Sequence, residues 1–218
     1  MPCSPASRAL FLVAAATALA MGVSARAQQP KPAQAQAPSF DCAKARPDSV
    51  ELLICKTPLL TALDAEMARL YRLARWGAPA RNSQKDWLRR RDACHGVANE
   101  ILCARDAYLS RIVELRVMSR TARSIDRKSI SLGPVAYRCE GMEGHLFATF
   151  VNVEPALVRL RNKSSVWVFE RARSASGARY IGPAGEDAQL FWSKGQEAVV
   201  RLGAGSAQTS CKEKVSPG

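Results

Sequence analysis

Residues 156–172 read Ala-Leu-Val-Arg-Leu-Arg-Asn-Lys-Ser-Ser-Val-Trp-Val-Phe-Glu-Arg-Ala, and how they are read decides the fold. Two runs, Ala156–Arg161 and Ser165–Ala172, mix branched, aromatic and charged side chains at a period near two, with a polar cluster between them. That period places alternate side chains on opposite faces of an extended chain, one toward a core and one toward water. The same pattern continues on both sides. Val135–Cys139 and His145–Asn152 precede it, and Leu190–Ser193 and Glu197–Leu202 follow, each set off by Gly or polar residues. Many short strands at such spacing predict an antiparallel barrel or sandwich over residues 134–218. Closing the sheet into a barrel would also remove its exposed edges.

Upstream the period changes to that of a helix. Thr57-Pro58 is a start signal, since Pro has no N–H to lose at a first helical position. Leu60, Leu63, Met67, Leu70 and Ala74 then recur three and four residues apart and make one apolar face. Ser83, with Asp86 three residues on, reads as the cap of a second helix that carries Trp87 and the basic run Arg89–Arg91. Ile101, Ala104, Tyr108, Ile112 and Leu115 mark a third. Arg89–Arg91 reads as a solvated helix face in preference to a binding patch. Residues 119–133 are polar and basic with no apolar stripe, and read as a linker. The expected fold class is therefore α+β in two modules: a small helical domain over 39–118, then a β-barrel over 134–218.

The N-terminal segment points to export. A basic start at Arg8, an apolar run over Ala9–Val23 and the small-x-small site Ala25-Arg26-Ala27 form a signal peptide spanning 1–27. The apolar run is shorter than the roughly 20 residues a membrane span needs. Residues 28–38 have almost nothing to place in a core and read as a disordered tether. No Cys follows the cleavage site, so the expectation is a periplasmic protein without a lipid anchor.

Cys3 falls in the removed segment, which leaves Cys42, Cys55, Cys94, Cys103, Cys139 and Cys211. An even set of cysteines in an oxidising compartment argues for disulfides. Many pairings are possible, and the order along the chain suggests Cys42–Cys55, Cys94–Cys103 and Cys139–Cys211. Such staples suit a helical domain too small to stabilise itself by burial alone. Zinc would need cysteine pairs two to four residues apart, and none occurs here. The isolated His95 and His145 do not make a metal site, and no cofactor is expected.

The net charge of +13 is uneven. Residues 39–133 carry 18 Lys+Arg against 11 Asp+Glu, and residues 134–218 carry 11 against 8. A basic helical part reads either as a well-solvated surface or as one drawn to anionic surfaces, and on the second reading peptidoglycan or another anionic envelope polymer is an expected partner. Nucleic acid is not expected of an exported chain. Nor is catalysis: there is no nucleophile elbow, no Cys/His pair once the cysteines are oxidised, and no phosphate-cradling Gly loop.

Two segments resemble known families. Residues Ser39–Leu115 resemble the N-terminal domain of LprI-type lysozyme inhibitors. The likeness is carried by Phe40-Asp41-Cys42, Glu51–Cys55, Leu63–Tyr71 and Gln84–Cys94, with Cys103 and Tyr108. Residues Tyr137–Lys212 resemble the membrane-bound inhibitors of c-type lysozyme, MliC. Here the matching residues are Tyr137–Gly141, Ser174–Tyr180, Phe191–Ala198 and Cys211-Lys212. That resemblance implies an eight-stranded antiparallel barrel and a c-type lysozyme as partner. It differs from the pattern in having a longer Ile181–Gln189 stretch and no lipid-accepting Cys.

The resemblance also points to Ser176 and Lys194 as the residues that enter the lysozyme cleft. Gly177, Arg179 and Tyr180 complete the expected lysozyme-binding set, with Tyr180 and Trp192 anchoring the loops. The residues themselves agree on placement: Ser176 precedes Gly177 in a small-residue loop, and Lys194 precedes Gly195 at a hairpin tip. Taken without the resemblance, each is an ordinary exposed turn residue. The competing expectation is an envelope-binding stress protein with no inhibitory activity.

Overall fold

A computed structural model describes residues 37–74, 78–124, 128–163 and 165–214. The expected signal peptide, 1–27, and nearly all of the tether, 28–38, lie outside the described residues. The helical part opens with a 3-10 turn, Cys42–Lys44, followed by α1 (Val50–Lys56) and α2 (Pro58–Ala74). The Ser49 hydroxyl accepts from the Leu52 N–H, so one of the four orphan donors at the start of α1 is satisfied. α2 begins at Pro58, and its stripe of Leu60, Leu63, Met67, Leu70 and Ala74 is buried. α3 (Ala78–Asp92), α4 (Glu100–Met118) and the short α5 (Arg120–Arg123) follow, with Asn99 capping α4 through the Leu102 N–H.

Two sequence expectations change here. Ser83 is not a cap, because α3 begins five residues earlier at Ala78 and the Ser83 hydroxyl instead accepts from Arg111 Nη1 at 2.8 Å. Arg91 does not belong to a solvated face. It is buried, with its guanidinium 5.6 Å from the Trp87 ring centre and ion-paired to Glu51 and Asp92, while Arg89 and Arg90 stay exposed. An aromatic face and two carboxylates repay the desolvation of that cation.

The second part is a closed barrel of eight antiparallel strands in chain order. They are β1 (Ser131–Cys139), β2 (Leu146–Val151), β3 (Leu157–Arg161), β4 (Val166–Ala172), β5 (Ala178–Ile181), β6 (Gln189–Lys194), β7 (Glu197–Leu202) and β8 (Thr209–Glu213). Leu160, Phe169, Tyr180, Phe191 and Val200 fill the interior, with Tyr137 edge-on to Phe191 at 5.7 Å. β8 closes on β1 with Cys139 opposite Cys211, so the third disulfide staples the seam of the barrel. The other two, Cys42–Cys55 and Cys94–Cys103, tie the start of the helical part and the turn between α3 and α4.

Helices and barrel share packing. Val151, Val153 and Leu157 belong to the same apolar cluster as α2 and α4. Ser119–Arg123 of the basic connecting segment extend the helical part as the cap and body of α5, and Ser131–Gly133 open β1. Arg116 of α4 is fully buried and donates to the carbonyl oxygens of Ala122, Arg123, Ser131 and Gly133. The Ser131 hydroxyl in turn donates to the buried Glu66 of α2, which also holds Arg69.

Candidate functional site

The register of β5 on β6 sets the geometry of the site. Ala178 lies opposite Ser193, so the β4–β5 turn (173–177) and the β6–β7 turn (195–196) stand side by side at one end of the barrel. The Lys194–Glu197 pairing leaves only Gly195 and Gln196 in the second turn. A φ of +60° at Gly195, the first of those two positions, suits a tight hairpin of the kind that matches strand twist. Ser176 and Lys194 are both exposed on these neighbouring turns.

Their adjacency has specific causes. Gly177 has φ +69°, and a Cβ there would press on the Ser193 carbonyl oxygen and lie 3.2 Å from the Lys194 Cβ. Only a residue without a side chain lets the Ser176 loop lie against β6. The Trp192 indole N–H donates to the Ser176 carbonyl oxygen at 2.9 Å, which spans the two turns, and the Ser174 hydroxyl donates to the same oxygen. Arg171 reaches the Gly177 carbonyl oxygen at 3.4 Å while its guanidinium sits 5.5 Å from the centre of the Tyr180 ring. The Ser176 and Gly177 carbonyls are thus each held by a strand side chain, Trp192 and Arg171, and the exposed Ser176 hydroxyl makes no hydrogen bond among the described residues.

Of the other expected site residues, Gly177 shapes the loop as just described. Arg179 is ion-paired to Glu186 and donates to the Arg173 carbonyl oxygen at 3.0 Å, so it braces both ends of the site. Tyr180 is not on the surface with them. It is 4% exposed and turned into the barrel beside Phe150 and Phe191, and burial raises its pKa against the pull of Arg171. Its strand position forces this, because Arg179 and Tyr180 must face opposite sides of the sheet. Two contributors were not read from sequence: Arg171, and Glu186 from the long β5–β6 loop. Nothing local in the chain marks either, since their partners come from other strands.

Two grooves flank these turns on the outer face of the barrel. One, of about 640 Å³, runs across β6, β7, β8 and the end of β1, with Trp192, Lys194, Val199, Ser210 and Glu140 among its walls and floor. The other, of about 570 Å³, lies between the Ser174–Ser176 loop, Arg179 and Glu186. Trp192 is a wall of both. Among the described residues no group of three His, Cys, Asp or Glu is placed to hold a metal ion.

Comparison with known proteins gives these features a setting. Residues 137–208 match the family described as membrane-bound lysozyme-inhibitor of c-type lysozyme. Over 178 residues the chain is 30% identical to lipoprotein LprI of Mycobacterium tuberculosis, strain H37Rv, covering 80% of this chain and 83% of that protein. Lipoprotein LprI of Mycobacterium bovis is similar to the same extent.

Proposed function

The chain belongs to the LprI family, with an MliC domain at residues 137–208, and from that premise we propose that it inhibits c-type lysozyme by inserting Ser176 and Lys194 into the active-site cleft. The observation that carries this reading is the pairing of two exposed turns, one offering a hydroxyl and one an ammonium, on a closed and stapled barrel.

The chemistry of the target supports the choice of groups. A c-type lysozyme works with one protonated and one ionised carboxyl in its cleft. A hydroxyl both donates and accepts, so Ser176 can bond either state, and the Lys194 ammonium brings three donors and a full charge to the ionised one. Occupying both acids leaves no room for the sugar and no free acid–base pair. The protein itself performs no bond chemistry in this scheme and acts as a binding partner. Gly177, Trp192, Arg171 and Arg179 hold the two turns before binding, which reduces the ordering cost of association.

The relatives are named lipoprotein and membrane-bound inhibitor, and we place this chain likewise in the cell envelope, exported to the periplasm. Among the described residues no helix is long and apolar enough to cross a membrane.

The test is a titration of a purified c-type lysozyme with the exported chain, then with Ser176→Ala and Lys194→Ala. Charge-assisted hydrogen bonds contribute roughly 1.5–3 kcal/mol each. Each substitution should therefore weaken inhibition about ten- to a hundredfold. Full lysozyme activity in the presence of micromolar wild-type chain would end the proposal.

A further inference from the structure

The cations around Ser176 fall into two groups. Arg171 reaches the Gly177 carbonyl oxygen and lies over the Tyr180 ring, Arg179 is paired to Glu186, and Arg201 donates to the Glu186 carbonyl oxygen at 3.1 Å. Each of these guanidiniums is engaged within the barrel. Arg173 is not. Its side chain is exposed and has no hydrogen-bond or ion-pair partner among the described residues, and the same holds for Lys194. These two cations stand on opposite sides of Trp192. Lys194 lines the groove of about 640 Å³, Arg173 lines that of about 570 Å³ together with Ser176, and the indole is a wall of both. An acidic cleft closing on Ser176 therefore meets a cation on each side of the indole.

The smaller groove is selective in charge. Its charged lining residues are Arg173, Arg179 and Glu186, and the last two neutralise one another. Asp187, the next carboxylate of the same loop, does not line it. One net positive charge remains, on Arg173, beside Ser176. A carboxylate is the group this wall favours, because a guanidinium fork and a hydroxyl both present hydrogen to it. The backbone that carries this charge is fixed. The Arg173 carbonyl oxygen accepts from Arg179 Nη1 at 3.0 Å, and Glu186 holds Arg179 in turn. The β5–β6 loop that supplies Glu186 is itself closed, by the Gly185 N–H on the Gly182 carbonyl oxygen at 3.0 Å and the Gln189 N–H on that of Gly185 at 2.7 Å. Pairing of Arg173 with a partner then orders little beyond its own side chain.

We infer that Arg173 is a third lysozyme contact, pairing with a carboxylate on the lip of the cleft that Ser176 and Lys194 enter, while Arg179 and Glu186 serve the contact by holding the Arg173 backbone. The inference rests on the proposed function and deepens it. It makes Arg173 a determinant of which lysozymes are held, favouring those with an acidic side chain at that lip.

The experiment is the same titration of a purified c-type lysozyme, using the full exported chain with Arg173→Gln and Arg173→Glu. Arg72→Gln, at an exposed position of α2, removes the same charge far along the chain and serves as control. Neither arginine has a side-chain partner among the described residues, so the variants should melt like the wild type, and thermal melting checks this. Arg173→Gln should weaken inhibition by more than about fivefold, the most that an ordinary exposed ion pair contributes. Arg173→Glu should weaken it further, because a reversed charge repels the carboxylate, and the control should lose nothing. A smaller loss in Arg173→Gln overturns the contact, as does Arg173→Glu no weaker than Arg173→Gln, or an equal loss in Arg72→Gln. The proposed function stands in those cases if Ser176→Ala and Lys194→Ala still weaken inhibition. A wild-type chain that does not inhibit at all removes the proposed function, and the Arg173 contact with it.

Discussion

Arg116 donates through Nη1 to both the carbonyl and the hydroxyl oxygen of Ser131, at 3.1 Å each, and so joins the last full helix to the first residue of the barrel. The guanidinium is fully buried; Nη1 also reaches the Ala122 carbonyl oxygen, while Nη2 and Nε donate to those of Arg123 and Gly133. Arg is the side chain suited to this, because its planar fork fills several fixed acceptors at once. Glu66, 1% exposed, supplies the balancing charge through the Ser131 hydroxyl.

Replacing Arg116 by Met keeps the apolar stem and removes every donor. Several buried carbonyl oxygens then lose their partner, and Glu66 is left with its ion pair to Arg69 and without the second guanidinium nearby. Breaking a buried pair on one side costs about 3–5 kcal/mol. Denaturant unfolding of Arg116→Met should show a loss of at least about 3 kcal/mol, with helical and barrel signals falling together. A loss under about 1 kcal/mol would mean that water replaces the guanidinium.

The staples should differ in weight. Cys139 and Cys211 are 72 residues apart and Cys94 and Cys103 only 9. If a disulfide acts by limiting the unfolded chain, the longer loop contributes about 4 kcal/mol and the shorter about 2.6. Paired Cys→Ser substitution at the barrel seam should therefore lower the melting temperature more than the same change at the α3–α4 turn. Equal losses would point to local strain relief or residual unfolded structure in place of loop entropy.

Alkaline pH should weaken the fold in a defined direction. Burial raises the phenols of Tyr108, Tyr137 and Tyr180 above the ordinary value, Tyr137 to about 12 with a further push from Glu213. A group whose folded pKa is raised stabilises fully below its unfolded pKa and loses that contribution as pH rises through the folded one. Melting temperature should then be flat up to about pH 10 and fall from there to about 12. Phenolate absorbance followed with pH should show late titration of the buried tyrosines. Normal titration in the folded protein would contradict their burial.

How much of this was legible in the chain depends on where each partner lies. The stripes of α2 and α4 and the alternation of β2, β3, β4, β6 and β7 are local patterns, and the sequence carries them openly. β5 holds only four residues, and β8 has Cys211 as its one apolar residue, so no period stands out in either and only the closed register reveals them as strands. α1, seven residues long, is likewise hidden inside a generally helical stretch. Arg91 reads as a solvated charge, and nothing local marks Arg111 and Arg116 as buried, because periodicity counts apolar side chains. Their burial rests on acceptors that come from distant segments. Ser176 and Lys194 were found through motif resemblance, whereas the braces around them, Arg171 and Glu186, act across strands and leave no local mark.

Trp192→Phe tests whether the turns are held before binding. Phe keeps the aromatic wall and loses only the N–H that meets the Ser176 carbonyl oxygen at 2.9 Å. A single such bond contributes about 0.5–1.5 kcal/mol, so inhibition should weaken by up to about tenfold with little change in melting. If potency is unchanged, the loop does not need this tether.

Gly177→Ala and Gly195→Ala separate crowding from backbone conformation. Both glycines have positive φ, +69° and +60°, where an L side chain costs roughly 1–2 kcal/mol. At Gly195 an added Cβ meets nothing within 4 Å, so the substitution carries that conformational cost alone and Lys194 stays at its tip. At Gly177 the Cβ is driven into the Ser193 carbonyl and the Lys194 side chain, and the Ser176 loop must lift off β6. Gly177→Ala should therefore abolish most inhibition, while Gly195→Ala lowers melting slightly and keeps most of the potency. The reverse order would show that the hairpin tip, and not the contact between the two turns, sets the spacing of hydroxyl and ammonium.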